Sequence, residues 1–200
     1  MKERPILFSG PMVKAILNGS KTQTRRVIKR PRYRHEIDHE GVWLEDEYGD
    51  WDKAPCPYGQ PGDRLWVRET WADNVCTYPN PKALYRADAI QDDSGEREDC
   101  WWIGDTPFRI PRWTPSIHMP RWASRITLEI TGVRVERLQE ISDQDARAEG
   151  VEVLQGPFDV RERRMGIYGH AFAHLWDSLA KPGADWAANP WVWVIEFKKL

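Results

Sequence analysis

Residues 21–26 bring together an amine, two hydroxyl groups and two guanidinium groups, in the order Lys-Thr-Gln-Thr-Arg-Arg. These groups suit a phosphate-bearing, nucleotide-sized ligand, although the same residue types are also common in solvent-exposed turns. The Gly19-Ser20 pair before them resembles the end of a Walker A loop, but that motif needs a glycine where this chain has Lys14. The flanking pattern is helix, loop and strand rather than strand, loop and helix, so a Walker A loop is excluded.

Two other segments carry side chains that could bind a ligand. The apolar segment 63–71 ends in Arg68, Glu69 and Trp71, a composition typical of a pocket mouth. The alternative is a surface ion pair beside a buried tryptophan. The proline-rich segment 109–125 interleaves arginines with aromatic rings, which favours single-stranded nucleic acid. Its basic and aromatic residues are Arg109, Arg112, Trp113, His118, Arg121, Trp122 and Arg125.

The elements around residues 21–26 decide which of their side chains can meet. Apolar spacing from Met12 to Leu17, with Ser9 before it and Gly19 after it, predicts a helix. The Thr, Val and Ile content of residues 22–28 predicts a strand. Thr24 and Arg26 would share one face of that strand and Gln23 and Arg25 the other. Lys21 can therefore meet Thr24 only if Lys21 lies in the turn.

The remaining pattern predicts one domain over residues 1–200, with insertions at about 29–60 and 72–122. The first insertion is expected to hold at most a short hairpin near Trp43, and prolines make the end of the second an extended loop. The other core elements are expected to be strands at 63–71, 125–138 and 191–197 and helices at 141–150 and 168–179. Ser142 would cap the first of these helices, and Glu149 would lie on its last turn, beside the negative end of the helix dipole.

Composition narrows the class of protein. The net charge of −2 excludes a strongly basic chain, and neither a membrane span nor a signal peptide is expected. Three widely spaced cysteines form no zinc pattern and indicate a reducing, cytoplasmic environment. His170 and His174 are four residues apart but lack the glutamate of zinc proteases, so no metal is expected.

Three motifs resemble the ASCH-domain family, which has a PUA-like fold linked to RNA. They are Ile-Leu-Asn-Gly-Ser-Lys-Thr-Gln-Thr-Arg-Arg at 16–26, Pro-Gly-Asp-Arg-Leu-Trp-Val at 61–67 and Val-Trp-Val-Ile-Glu-Phe at 192–197. The resemblance implies an α+β fold with a PUA-like mixed β-barrel, two or three helices and long inserted loops. The chain is similar to the longer form found in phages and prophages, in which the loop at 116–120 would lie near the pocket.

Some small ASCH proteins hydrolyse N4-acetylcytidine with a lysine, a threonine and a glutamate, which match Lys21, Thr24 and Glu149. The resemblance implies that Thr24 attacks the acyl carbon, that Lys21 is the base and that Glu149 orients Lys21 or protonates the leaving amine. Backbone N–H groups of the 19–21 turn would hold the oxyanion, and no cofactor is needed. The expected substrate- or RNA-binding residues are Arg25, Arg26, Arg68, Glu69, Trp71, Ser116, His118 and Arg121.

Other functions remain open, because the hydrolases are shorter and lack the Trp- and Arg-rich insertions. The alternative is a single-stranded RNA-binding module or a ribonuclease. A third interpretation is a phage assembly or host-takeover factor without catalysis. The expected partner is therefore either a nucleoside or single-stranded RNA.

Overall fold

The computed structural model describes residues 1–29, 35–73, 83–91, 100–103, 106–109, 112–153 and 166–200. Its strands are β1 (Glu3–Leu7), β2 (Gln23–Val27), β3 (His35–Ile37), β4 (Val42–Glu45), β5 (Trp51–Lys53), β6 (Arg64–Arg68), β7 (Trp71–Asp73), β8 (Ala83–Tyr85), β9 (Ala89–Gln91), β10 (Cys100–Ile103), β11 (Thr106–Arg109), β12 (Thr127–Arg137) and β13 (Trp191–Lys199). Its α-helices are α1 (Gly10–Leu17), α2 (Asp143–Ala148) and α3 (Gly166–Leu179). No described helix has the length and apolar character that a membrane span requires.

Five strands form the main sheet in the order β1-β6-β12-β13-β2. The β1–β6 pair is parallel and the other pairs are antiparallel. The predicted α+β class is confirmed. The predicted closed barrel is not, because the described strands β1 and β2 end the sheet on opposite sides without pairing. In place of a ladder, Arg26 Nη2 of β2 donates to the carbonyl of Leu7 in β1 at 2.6 Å.

Apolar side chains on the two faces of this sheet form two cores. On one face, α1 packs Val13 and Ile16 against a cluster that includes Leu128 and Ile195. On the other face, α2 and α3 cover Val194 and its apolar neighbours. Alternation along β13 explains how one strand serves both cores, since successive side chains point to opposite faces.

The structure confirms the bulge predicted at Gly132 in β12 and the helix cap predicted at Ser142. The register of β12 against β13 shifts between Ile130 and Gly132, as the glycine predicts. A Cβ atom at Gly132 would lie 2.7 Å from Glu196 Oε2, so the lack of a side chain at Gly132 leaves room for that carboxylate. Ser142 caps α2 by accepting a hydrogen bond from the Asp145 backbone N–H at 3.0 Å.

The described parts of the two predicted insertions contain more strands than the sequence predicts. The first holds the three-stranded sheet β3-β4-β5 rather than at most a hairpin. Within the second, β9, β10 and β11 form another three-stranded sheet, and β7 pairs with β8. The expectation of an extended loop up to residue 125 is also wrong, because 3₁₀ turns occupy Ser116–His118 and Arg121–Ala123. Each turn follows a proline, which starts a helical turn without needing a hydrogen-bonded N–H.

Candidate functional site

Lys21 lies in a turn that joins α1 to β2, as its predicted contact requires. Helix α1 ends at Leu17 with Asn18 as its C-cap, and Gly19 follows with a φ of 81°. The Lys21 N–H then donates to the carbonyl of Ala15 at 2.9 Å, and the next N–H, of Thr22, donates to Ala148 at 2.9 Å. These bonds place Lys21 against the C-terminal end of α2, where Glu149 is the C-cap residue.

Lys21 and Glu149 form a buried ion pair across 128 residues of sequence. Lys21 Nζ lies 2.7 Å from Glu149 Oε2 and 2.8 Å from the backbone oxygen of Glu149. The side chains are 0% and 5% exposed, respectively. Gly150 makes this approach possible, because a Cβ atom there would lie 2.8 Å from Lys21 Cβ and 2.9 Å from Ala15 Cβ.

Burial lowers the pKa of Lys21, since an ammonium group loses its hydration in the interior. Glu149 opposes this shift through charge and hydrogen bonding, whereas the positive charges of Arg26 and Arg25 add to it. The net direction is downward. Lys21 is therefore closer to acting as a proton acceptor than a solvent-exposed lysine.

Arg25 contacts the other oxygen of Glu149. Its Nη1 lies 3.3 Å from Glu149 Oε1, and its Nη2 lies 3.0 Å from Glu136 Oε2 and 3.4 Å from Asp145 Oδ2. The Arg25 side chain is 0% exposed, and the Phe172 ring packs 5.9 Å from its guanidinium carbon. The sequence predicted that Arg25 binds the ligand, and it did not predict these acidic partners.

Thr24 and Arg26 lie on the opposite face of β2 from Arg25. Thr24 is buried and pairs with Ile195 in β13, one position beyond the pairing of Arg25. The guanidinium carbon of Arg26 lies 5.2 Å from the centre of the Phe8 ring, and burial lowers the pKa of Arg26. The described residues include no hydrogen bond between the Thr24 hydroxyl and Lys21.

Phe8 is a further residue of the site that the sequence did not predict. Its ring centre lies 5.7 Å from Lys21 Nζ as well as near Arg26. Its backbone N–H donates to the carbonyl of Arg68 at 3.2 Å, which joins this site to the end of β6. The sequence carries no signal that distinguishes Phe8 from the other apolar residues of the 5–8 run.

The predicted oxyanion hole in the 19–21 turn is wrong. All three backbone N–H groups already have acceptors: Gly19 bonds to Ile16, Ser20 to the Asn18 side chain and Lys21 to Ala15. The turn is tight because it closes a helix, and closing a helix consumes its donors. In contrast, Arg26 Nε is buried without a hydrogen-bond partner among the described residues.

The second predicted group, at the end of β6, is organised by Glu69. Its buried carboxylate accepts two hydrogen bonds from Arg125, with Nε–Oε1 at 2.9 Å and Nη2–Oε2 at 3.0 Å. Arg125 also pairs with Asp88 and lies 3.9 Å above the Tyr85 ring. Burial raises the pKa of Glu69 despite this pairing. Glu69 therefore pairs with Arg125 rather than with Arg68, whose Nε instead bonds to the Met119 carbonyl at 3.0 Å.

Aromatic rings form a partly exposed surface beside this group. Trp71 is buried and meets Trp122 edge to face, with ring centres 5.4 Å apart. Trp122 is 57% exposed. His118 is exposed in its 3₁₀ turn, and Ser116 opens that turn half-buried. Arg121 Nε donates to Glu3 Oε2 at 3.2 Å, and Arg121 Nη2 donates to the Thr127 hydroxyl oxygen at 3.3 Å.

A cavity of about 570 Å³ lies elsewhere, between the first insertion and the sheet. Its lining includes Lys2, Lys53, Cys56, Val135 and Trp193, and it does not include Lys21, Thr24 or Glu149. Within the described ranges, no group of His, Cys, Asp and Glu residues is arranged to hold a metal ion.

No protein-family model and no curated protein matches the chain. Among solved structures, the chain is similar to an ASCH domain from Lactobacillus crispatus JV V101, with 13% identity and a TM-score of 0.36. The alignment covers 99% of this chain and 79% of that chain. A similarity this low does not establish a shared activity. The functional interpretation rests on the motifs and on the geometry of the Lys21 site.

Proposed function

We propose that this protein hydrolyses the amide bond of an N4-acylated cytidine at a site formed by Lys21, Thr24 and Glu149. The observation that supports this proposal is the buried Lys21–Glu149 pair, 2.7 Å apart, which joins the Lys-Thr motif to the end of α2. A buried pair of this kind contributes little net stability. A catalytic role gives the chain a reason to keep it.

The proposed reaction has two steps. The Thr24 hydroxyl attacks the acyl carbon, Lys21 accepts the hydroxyl proton, and the bond from that carbon to N4 breaks as the leaving amine gains a proton through Lys21 and Glu149. Water then cleaves the Thr24 ester and releases the carboxylic acid. The lowered pKa of Lys21 supports the first step, which needs a neutral amine.

Arg26 supplies the positive charge that this mechanism requires on the Thr24 face. The turn N–H groups are all bonded, whereas Arg26 Nε has no partner within the described residues and shares the Thr24 face of β2. We assign the developing oxyanion to Arg26. Side-chain rotation on substrate binding has to bring the Thr24 hydroxyl to Lys21, because catalytic hydrogen bonds often form only in the complex.

The test is hydrolysis of N4-acetylcytidine by purified protein, followed by mass spectrometry. Thr24→Val should abolish hydrolysis, and Lys21→Met should lower it at least about 100-fold, the scale of general-base catalysis. Thr22→Val is the matched control, because it makes the same chemical change at an exposed position two residues away. If the wild type hydrolyses the substrate and both Thr24→Val and Lys21→Met retain its rate, the mechanism is refuted.

The second candidate function is binding of single-stranded RNA at the Trp122 surface. The specific observation is that Trp122 is largely exposed while Trp71 fixes its ring from behind. An exposed, oriented ring can stack a base, and stacking contributes about 1–3 kcal/mol per base. Trp122→Ala should weaken binding of a fluorescent oligouridine about tenfold, whereas Ile117→Ala, at another exposed apolar position, should not. Affinity that is independent of salt would contradict this function.

A further inference from the structure

Arg25 is the most enclosed charged group at the site that the proposed reaction leaves without a role. Its side chain is fully buried, and it faces carboxylates from two different elements. Asp145 lies in the first turn of α2 and Glu149 is its C-cap, whereas Glu136 comes from β12. An arginine placed this way cannot reach a ligand in solvent, so its function concerns the acidic side chains that it contacts.

We propose that Arg25 is a positioning residue that holds the Glu149 carboxylate in the orientation Lys21 needs. The two oxygens of Glu149 are divided between two cations, with Oε2 on Lys21 at 2.7 Å and Oε1 on Arg25 at 3.3 Å. A carboxylate held at both oxygens cannot rotate away from Lys21. This inference rests on the proposed hydrolase and assigns a further residue to it.

The anchoring of Arg25 is what makes it suited to this role. Its Nη2 is held by Glu136 at 3.0 Å and by Asp145 at 3.4 Å, on the side away from Glu149. Arg134 in turn bonds to both of those acids and to Glu196. The planar guanidinium group uses both ends at once, whereas a lysine offers a single charged point.

Arg25 also contributes to the charge balance around Lys21. Its positive charge disfavours the ammonium form and therefore lowers the pKa of Lys21. Loss of Arg25 would remove that effect and leave Glu149 paired with Lys21 alone. Both changes favour the protonated amine, so the pKa of Lys21 should rise and hydrolysis should require a higher pH. The charged groups that act on Lys21 are Glu149, Arg26 and Arg25, and the wider network adds Glu136, Asp145, Arg134 and Glu196.

The experiment follows the Lys21 amine directly by nitrogen NMR of lysine-labelled protein, with Lys21→Met used to assign the signal. Arg25→Met should raise the Lys21 titration midpoint by about one pH unit, a tenfold change in its acid constant. Glu136→Gln is the control, because it disturbs the same network of ion pairs. It removes a negative charge, which favours the neutral amine, so the Lys21 titration midpoint should stay unchanged or fall. If both variants raise the midpoint, the shift comes from water that enters the loosened network and hydrates the ammonium group. Arg25 then acts only by excluding water, and the proposal is overturned.

Kinetics provide the second measurement and cover the case in which Arg25→Met fails to fold. Arg25→Lys keeps the positive charge but loses the planar guanidinium group that contacts acids at both ends. The value of kcat/KM should therefore fall about tenfold, with no shift in the pH dependence of kcat/KM. A wild-type value in Arg25→Lys would overturn the positioning role. An inactive wild-type protein would instead remove the hydrolase proposal, while the NMR titration would still decide whether Arg25 controls Lys21.

Discussion

Gly150→Ala tests the geometry of the site without assuming any activity. Gly150 follows the C-cap of α2 with a φ of 74°, a conformation that disfavours side chains. The added Cβ atom would also lie 2.8 Å from Lys21 Cβ and 2.9 Å from Ala15 Cβ. Neither neighbour can retreat easily, because the Lys21 N–H is bonded to the Ala15 carbonyl.

Gly19→Ala is a matched control. Gly19 also follows a helix C-cap, has a φ of 81° and has no atom within 4 Å of an added Cβ. The left-handed conformation alone should cost about 1–2 kcal/mol in both variants. Crowding at a packed position adds about 1–3 kcal/mol, and only Gly150→Ala incurs it. The expected total for Gly150→Ala is therefore about 2–5 kcal/mol.

The assay is equilibrium urea unfolding followed by tryptophan fluorescence. With a slope of about 2 kcal/mol per molar urea, the crowding term should lower the midpoint of Gly150→Ala by about 0.5–1.5 M relative to Gly19→Ala. Equal midpoints for the two variants would show that Lys21 does not pack against the end of α2. That result would refute the site on which the proposed function depends.

Two other predictions concern stability. The Lys2 backbone N–H and the Arg4 guanidinium group lower the pKa of Asp63, so its contribution is present above the unfolded pKa and is lost as the pH falls through the folded pKa. Urea midpoints at pH 6 and pH 3 should therefore differ less in Asp63→Asn than in the wild type, and equal losses would contradict this reasoning. Glu69→Gln should cost about 3 kcal/mol, because it removes the buried partner of Arg125. Glu3→Gln, in an exposed pair, should cost at most about 1 kcal/mol in the same unfolding assay, and a similar cost for both variants would exclude a special role for Glu69.

The elements predicted well are those with local signals. Ser9 and Gly19 bracket α1, Gly132 marks the bulge in β12, and Ser142 caps α2, each within a residue or two of its predicted place. Such signals depend on the backbone conformation of a few adjacent residues, so they can be read from the chain directly. The turn position of Lys21 follows from the same local reasoning.

The partners of buried charges could not be predicted in this way. Glu69 binds Arg125 rather than its neighbour Arg68, and Arg25 binds acids more than 100 residues away. Arg68 ends strand β6 and Glu69 follows it outside the strand, so their adjacency in sequence does not make them partners. Long-range pairs depend on how the sheet is ordered, and the order β1-β6-β12-β13-β2 has no signature in any single segment.

The open edge of the sheet explains why the candidate site lies where it does. Had β1 and β2 paired to close a barrel, the Leu7 carbonyl could have accepted a strand N–H instead of the Arg26 guanidinium group. Because the ladder is missing, Arg26 reaches across the gap and Phe8 packs between it and Lys21. The unpaired edges thus allow Lys21 and Arg26 to approach the same ring.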